Sequence, residues 1–532
     1  MIYLRQLKKL IKILNKKKLL NLNYLFFLII IINSLVFTFY SGFRGVYPID
    51  SFIIFDSGYK VLNNVHPFKD YWSLTGPLLD YIQSVFFLFF DINWFSYVLH
   101  AAFVNSLLSI IVFYFFLQIG IKKKYSFIYA LCTSILAYPT IGTPFVDHHA
   151  VYFSFISVIY FMLAIKTDRK LFWILSSLFL VLSFFSKQVP SAYVGLFLFL
   201  IIVLKFFLKK KNNNYLNFFY SGLITLGAVL LIFLVNGIPL KNFIIQYLYY
   251  PLTIGENRIE SLSHDFKNTF LQYKFVYLAM LPATLVFVLE IFKKKKINNI
   301  ENFLFFVIFF ISVIIFIYNQ KLTKNQILIF FLIPWCLGIS HYFMTKIKNK
   351  KFIINLLLIS LVAVTYKYHI RYNENKKFME LENIDKSGAI NARVLDKKLS
   401  GLKWITKRYF DDPEYELKKL SEIKSIINND ENNKIIVSDY QILSALTNNK
   451  NYAPNKWFDP LSIPGKKNKY FKEYQEFFLL KLEEQNIKNI YIVGKDKLEI
   501  FLTVFENQKC FKMHNLNEIS IKLDITSCFK SF

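Results

Sequence analysis

The chain has 532 residues, 55% of them hydrophobic, and a formal net charge of +29. Long apolar segments recur at the length that crosses a bilayer, which excludes a soluble globular fold and predicts a polytopic α-helical membrane protein. The basic residues cluster at every second end of these segments, as the positive-inside rule requires. We therefore interpret the charge as a topology signal and expect no nucleic-acid partner.

The first apolar segment follows a basic N-terminus with seven cations in residues 1–23. No small-residue cleavage site follows, so we interpret it as an uncleaved first span with a cytoplasmic N-terminus. The segment 78–90 carries Asp80 and Gln83 and is expected to lie at the membrane interface. About eleven spans are predicted in all, near residues 24–40, 94–117, 125–138, 149–165, 171–185, 191–208, 216–235, 275–291, 303–318, 327–343 and 352–366.

An odd number of spans places the C-terminus on the side opposite the N-terminus. The loops around residues 42–92, 141–148, 186–190, 236–274 and 319–326 then face that same outer side. They carry nearly all of the chemically varied residues, whereas the inner loops carry Lys, Arg and Asn. We therefore expect a multi-pass protein of the inner (plasma) membrane with a functional site on its periplasmic face.

Two domains are expected, a transmembrane domain over residues 1–366 and a small extracytoplasmic α/β domain over residues 367–532. In the second, the patterns of Lys434–Asp439 and Asn489–Gly494 predict buried strands, and Tyr470–Gln485 between them predicts a helix. Residues 403–429 are also expected to be helical.

The four cysteines form no metal-binding motif. Cys132 and Cys336 lie inside apolar segments and are expected to be packing residues. Cys510 and Cys528 lie in the C-terminal domain and are a disulfide candidate if that domain is in an oxidising compartment.

The first outer loop, residues 41–77, concentrates acidic, basic and aromatic residues next to the bilayer. Its main candidate is Asp56, as a general base, as a ligand for a divalent cation, or as the cap of a short helix beginning at Ser57. Asp70 is interpreted as part of a turn and Asp50 as a bystander.

The second outer loop contains Asp147, His148 and His149 in sequence. Asp147 is a candidate catalytic carboxylate at a helix start, and the two histidines are candidate accessory residues. Adjacent residues rarely direct both side chains at one ion, so these residues do not predict a complete metal site. An interfacial position for the histidine pair is the alternative.

Two cations of later outer loops, Lys187 and Arg258, are candidates for binding a phosphate group. The alternative for Lys187 is snorkelling to lipid headgroups. The chain has no Gly-X-Ser-X-Gly, His-Glu-X-X-His or Gly-X-Gly-X-X-Gly motif, so these signatures of hydrolases, zinc proteases and dinucleotide-binding proteins are missing.

Three motifs of the first loop resemble the GT-C superfamily of membrane glycosyltransferases, in particular the bacterial relatives of protein mannosyltransferases and aminoarabinose transferases. They are Asp56-Ser57-Gly58-Tyr59, Val65-His66-Pro67-Phe68-Lys69-Asp70 and Gly76-Pro77-Leu78-Leu79-Asp80-Tyr81. The resemblance covers roughly residues 24–366. Ser57 stands where many members have glutamate.

The resemblance implies an inverting transfer of a hexosyl or pentosyl group from a polyprenyl-phosphate-linked donor to a cell-envelope glycan or lipid. It implies Asp56 and Asp147 as catalytic residues, Lys187 or Arg258 as the ligand of the carrier phosphate, and Tyr59 and Asp70 as accessory candidates. A divalent cation, Mg²⁺ or Mn²⁺, is compatible with it. The alternatives are an O-antigen polymerase or ligase, a flippase for lipid-linked oligosaccharides, and an inactive relative.

Overall fold

The structure is a computed structural model. It describes residues 24–208, 213–263, 265–294, 300–323, 329–347, 350–494, 496–505 and 510–528. The predicted basic clusters at residues 1–23, 209–211, 295–296 and 348, the loop residues 324–326 and the start of the predicted span 327–343 lie outside these ranges.

Sixteen helices precede the C-terminal domain in the described residues. In chain order they are α1 (Tyr24–Gly42), α2 (Pro48–Ser51), α3 (Ile53–Leu62), α4 (Leu78–Phe90), α5 (Trp94–Gln118), α6 (Lys123–Leu136), α7 (Val146–Thr167), α8 (Lys170–Ser186), α9 (Gln188–Leu208), α10 (Leu216–Val235), α11 (Leu240–Phe243), α12 (Tyr250–Glu260), α13 (Lys274–Lys294), α14 (Ile300–Leu322), α15 (Leu332–Met344) and α16 (Lys350–His369).

Eight of the described helices are long and apolar enough to cross a membrane: α1, α5, α7, α9, α10, α13, α14 and α16. The shorter helices α6, α8 and α15 fall at the other three predicted spans. A multi-pass helical membrane protein is therefore confirmed. Helix α7 lies at its centre, because 89% of its most apolar window is buried, whereas only 17% of that of α10 is.

The C-terminal domain contains the helices α17 (Pro413–Asn429), α18 (Leu443–Leu446), α19 (Phe471–Glu484) and α20 (Lys497–Leu502) and the strands β1 (Ile390–Asn391), β2 (Lys403–Trp404), β3 (Lys434–Ser438), β4 (Asn489–Val493), β5 (Lys512–Asn517) and β6 (Ser520–Asp524). The larger sheet has the order β3-β4-β6-β5, and β3 and β4 are parallel. The expected small α/β domain is thus confirmed, together with both predicted strands and the helix between them.

One local prediction for this domain is wrong. Residues 403–404 are not helical but form strand β2, which pairs with β1. The helix begins only at Pro413, where the Asp412 side chain accepts a hydrogen bond from the backbone N–H of Tyr415 (2.9 Å). Proline at the first helical position and aspartate before it are a strong helix start, and this signal fixes the boundary.

The C-terminal domain packs directly on the first outer loop. Isolated β-bridges join Arg44 to Lys403 and Trp72 to Asn455. Phe52, just after α2, stacks on Trp404 with ring centroids 5.5 Å apart. The first loop and this domain therefore lie on the same side of the helical bundle and share a core.

Candidate active site at the outer loops

Close glycine contacts bring the outer loops together. The amide N–H of Gly76 donates to the carbonyl of Ser186 (3.0 Å), and a Cβ at Gly76 would collide with the carbonyl of Phe185. Likewise Gly42, at the end of α1, meets Gly142, whose φ is +86°. Only glycine permits both this backbone conformation and this approach. The loops that precede α7 and α9 are thereby held against the first loop.

Asp147 and Lys187 form an ion pair at this junction. Asp147 lies in the first turn of α7, where a negative charge is favoured by the helix dipole. Lys187 lies between α8 and α9 and is followed by Gln188, whose amide donates to the carbonyls of Leu74 (2.9 Å) and Tyr247. The side chains of Asp147 and Lys187 are only 3% and 12% exposed, so water screens the pair weakly.

Asp50, in the short helix α2, is a first-loop carboxylate whose charge interacts with both members of this pair. Burial raises its pKa to about 7, with a further upward contribution from the negative charge of Asp147 and an opposing one from Lys187. These three side chains thus lie within electrostatic range of one another. This electrostatic environment favours a functional role for Asp50 over the expected bystander role, and which of the two holds stays a prediction.

A signal for Asp50 was present in the sequence. Asp50 is the first carboxylate after α1, and Pro48 at the start of α2 fixes the local backbone.

The C-terminal domain also contributes charges here. The negative charges of Asp459 and Asp439 raise the pKa of Asp50 further. Asp439 directly follows β3 and pairs with Lys497, which follows β4, over 3.1 Å. The carboxyl ends of parallel strands meet at one edge of a sheet, and ligands of α/β folds often bind there. This edge faces the carboxylates of the outer loops.

Asp56 lies elsewhere, in a buried cluster beneath the C-terminal domain. It forms an ion pair with Lys60 (2.8 Å), both side chains being 4% exposed, and accepts a hydrogen bond from Ser444. It does not cap α3, which begins at Ile53. Among the described residues, no contact connects Asp56 with Asp147. The catalytic role of Asp56 stays a prediction, and its contacts favour a structural one.

A second buried ion pair lies beside it. The ammonium of Lys456, in the C-terminal domain, lies 2.6 Å from Asp80 in α4, and the two side chains are 1% and 0% exposed. Asp80 also accepts hydrogen bonds from Ser57 and Tyr71, both at 2.8 Å. The two ion pairs balance two positive against two negative charges. They fix the C-terminal domain to the first loop.

The two histidines point to different partners. His149 Nε2 lies 3.0 Å from His100 Nε2, and its Nδ1 is hydrogen-bonded to the Tyr138 hydroxyl. His148 Nε2 lies 3.4 Å from Thr140, and its Nδ1 is buried without a described partner. The two imidazoles therefore have different neighbours.

The accessory candidates of the first loop are also held by neighbours. Asp70 accepts a hydrogen bond from the backbone N–H of His66 (2.7 Å), which confirms the predicted turn. Tyr59 lies in α3, one turn before Leu62. Burial and the charge of Asp56 raise the pKa of its hydroxyl.

Arg258 lies in a different place from Lys187. It lines a cavity of about 300 Å³ together with Lys321, Ser261, Leu262, Ser263, Asn268, Gln272 and Leu322. Lys187 and Asp147 do not belong to this lining. The two cations that the sequence proposed for one phosphate thus occupy separate surroundings.

The donor set at Asp147 does not fit a divalent cation. Its carboxylate is occupied by the ammonium of Lys187. In the part of the chain that the structure describes, no group of three or more His, Cys, Asp or Glu side chains is arranged to hold a metal ion. The metal dependence stays a prediction.

The cysteines differ in their surroundings. Cys510 and Cys528 are joined by a disulfide in the C-terminal domain, on either side of the β5–β6 hairpin. Cys132 and Cys336 are free and buried in the bundle.

Comparison with known proteins finds structures but no sequence family. No family model and no curated protein matches the chain. The oligosaccharyltransferase of Archaeoglobus fulgidus in the apo form matches with a TM-score of 0.47 at 11% identity. The match covers 92% of this chain and 73% of the oligosaccharyltransferase. ArnT from Cupriavidus metallidurans bound to undecaprenyl phosphate matches with a TM-score of 0.48 at 11% identity. This match covers 94% of this chain and 98% of ArnT.

A further match is the Archaeoglobus fulgidus oligosaccharyltransferase AglB in complex with an inhibitory peptide and a dolichol-phosphate, with a TM-score of 0.43 at 11% identity. At these values the likeness concerns only the course of the chain. In the course of its helices the chain is similar, over nearly its whole length, to these oligosaccharyltransferase and ArnT structures.

Proposed function

We propose that this protein is a membrane glycosyltransferase that moves a sugar from a polyprenyl-phosphate-linked donor to a glycan or lipid of the cell envelope. The observation that carries the proposal is the buried Asp147–Lys187 ion pair where the outer loops meet, with the carboxylate of Asp50 within electrostatic range of it. A carboxylate and an ammonium side by side at the end of apolar helices match what such a transfer needs: a base for the acceptor and a cation for the leaving phosphate.

In the proposed reaction Asp50 is the base. The acceptor oxygen attacks C1 of the sugar, its proton passes to the Asp50 carboxylate, and the bond between C1 and the phosphate oxygen breaks. One displacement of this kind inverts the configuration at C1. A pKa of about 7 suits the task, because the carboxylate is then both available and basic enough at neutral pH.

Lys187 is proposed to stabilise the phosphate that leaves. Its ammonium is held by Asp147 and carries no other described acidic partner. A phosphate that develops negative charge in this weakly screened place gains more from a cation than it would in water. Asp147 is proposed to orient Lys187. The hydrophobic chain of the carrier would remain in the bilayer, and the site is proposed to face the periplasm.

The test is a transfer assay with the full-length protein in vesicles that contain a labelled polyprenyl-phosphate sugar. Asp50→Asn should reduce turnover by roughly 100-fold or more, since general bases contribute factors of that size. Asp56→Asn is the matched variant in the same loop and should retain turnover in the fraction that folds, as judged by thermal unfolding.

The opposite result would identify a different base. If Asp56→Asn abolishes transfer in folded protein and Asp50→Asn does not, the base is Asp56 and the proposal for Asp50 is wrong. If the wild-type protein moves lipid-linked sugar across the vesicle membrane without transferring it, the protein is a flippase.

A further inference from the structure

The cavity around Arg258 and Lys321 is separate from the proposed transfer site. It has a volume of about 300 Å³, at the lower end of the range for small-ligand sites. Arg258 lies in the last turn of α12 and Lys321 in the last turn of α14. Because α14 is a membrane span, the cavity opens where this span ends.

The polar groups of the cavity are those that bind a phosphate. The Nε atom of Arg258 is buried and has no hydrogen-bond partner among the described residues. A buried guanidinium N–H without an acceptor is costly and indicates a missing partner. Lys321 donates to the Thr269 hydroxyl (2.8 Å) and retains further donors. The side-chain amide of Gln272 adds neutral donors, whereas the hydroxyls of Ser261 and Ser263 already donate to the Arg258 carbonyl and to Asp265.

The acidic residue close to the cavity is already satisfied. Asp265 accepts hydrogen bonds from the Ser263 hydroxyl (2.6 Å) and from the side chain of Asn268 (2.7 Å). The cavity lining contains the two cations Arg258 and Lys321 and no carboxylate, and it therefore carries a net positive charge. The cavity therefore selects an anion.

The surroundings of the cavity are apolar. Phe266, Phe270 and Leu271, in the segment that forms one of its walls, are 66%, 53% and 48% exposed. The rings of Phe266 and Phe270 stack with centroids 5.4 Å apart. Exposed aromatic residues beside cations are typical of segments that lie in the headgroup region of a bilayer.

We infer that Arg258 and Lys321 form a second phosphate site, which binds a phosphate mono- or diester at the membrane surface and is distinct from the site at Lys187. Arginine binds such a group through two N–H donors, and the lysine adds a point charge. The source of the phosphate is either the headgroup of an anionic lipid or a soluble phosphate. This inference does not depend on the proposed transfer reaction.

The experiment measures binding by the full-length protein purified in a neutral detergent. Native mass spectrometry counts bound phosphatidylglycerol against bound phosphatidylcholine, and titration calorimetry measures inorganic phosphate. The variants are Arg258→Gln, Lys321→Gln and Arg258→Lys. The matched control is Lys267→Gln, which removes an exposed cation of the same segment outside the cavity lining.

Wild-type protein should retain phosphatidylglycerol in preference to phosphatidylcholine. Each Gln variant should weaken this binding about tenfold, the equivalent of one charge-assisted hydrogen bond. Arg258→Lys should lose less than Arg258→Gln because the charge remains, and Lys267→Gln should bind like wild type. Thermal unfolding shows which variants are folded.

The two binding measurements distinguish a lipid headgroup from a soluble phosphate as the source of the ligand. Binding of inorganic phosphate, with the same dependence on Arg258 and Lys321 but no preference for phosphatidylglycerol, supports the phosphate site and assigns it to a soluble ligand. If wild type binds neither, or if Lys267→Gln weakens binding as much as Lys321→Gln, the inference is wrong. Since no readout involves sugar transfer, a failure here leaves the proposed function untouched.

Discussion

The carboxylates of the outer loops differ in what surrounds them. Asp56 and Asp80 each face a lysine and hydroxyl donors. Asp147 faces Lys187. Asp50 lies within electrostatic range of Asp147 and Lys187, and its pKa is raised to about 7. A carboxyl group whose proton is exchangeable near neutral pH is suited to acid–base chemistry, whereas a tightly paired one is suited to holding structure.

This difference predicts how transfer depends on pH. Asp50 accepts a proton only when it is ionised, so kcat/KM should rise with pH and level off above the pKa of about 7. The groups that face it are Asp147, Asp439 and Asp459, which raise this pKa, and Lys187, which lowers it. Asp459→Asn removes one negative charge and should shift the rising limb to lower pH.

The measurement is the initial rate of transfer between pH 5 and 9 on folded protein. Asp385→Asn, which neutralises an exposed carboxylate that does not act on Asp50, is the control and should leave the profile unchanged. A rate that is constant across this range would contradict Asp50 as the base.

At the scale of elements, the site depends on how the loops meet rather than on any one helix. Gly76 lets the first loop lie on the end of α8, immediately before Lys187. The close approach of Gly42 to Gly142 likewise lets the end of α1 lie on the loop before α7, the helix that carries Asp147 in its first turn. Interiors are close-packed, so even one added methyl group displaces these backbones.

Gly76→Ala should therefore move the turn that carries Lys187. We expect transfer to fall at least about tenfold and stability to fall by roughly 1–3 kcal/mol, the usual cost of overpacking. Gly227→Ala, in α10, is the matched control, because its Cβ would meet no atom within 4 Å. Turnover and thermal unfolding of both variants check the prediction, and wild-type behaviour of Gly76→Ala would contradict it.

At the scale of the whole molecule, the C-terminal domain packs on the first loop, next to the proposed site. Its segment around Lys456 is joined to α3 and α4 through buried charges, and its sheet edge brings Asp439 towards Asp50. Burial lowers the pKa of Lys456, and the charge of Asp80 opposes this shift. Such a pair is costly to break on one side, because the remaining charge stays buried.

Lys456→Met should therefore destabilise the protein by roughly 3–5 kcal/mol, and the double variant Lys456→Met/Asp80→Asn should recover much of this loss. Lys481→Met removes the partly exposed pair with Glu484 and should cost no more than about 1 kcal/mol. Thermal unfolding and proteolysis of the C-terminal domain measure these effects. A double variant no more stable than Lys456→Met would exclude the ion pair as the cause.

The amino-acid sequence by itself determined the membrane class, the approximate position of each span, and the β3–α19–β4 unit, because apolar length and periodicity are local properties. It also identified Asp147 and Lys187 as residues of one outer face. It did not predict the two-residue strand β2, which is too short for a periodic pattern, or the β5–β6 hairpin, whose strand β6 pairs with β4 as well as with β5.

Only the tertiary structure decided which carboxylate of the first loop faces Asp147. Asp50 and Asp56 are six positions apart and look equivalent in the sequence. The dense packing of α3 against the C-terminal domain buries Asp56 with Lys60, while Asp50, in α2, lies within electrostatic range of Asp147. Packing between segments distant in the sequence determines the surroundings of each carboxylate, and no local sequence pattern encodes this packing. For the same reason Arg258 lies with Lys321 and not with Lys187.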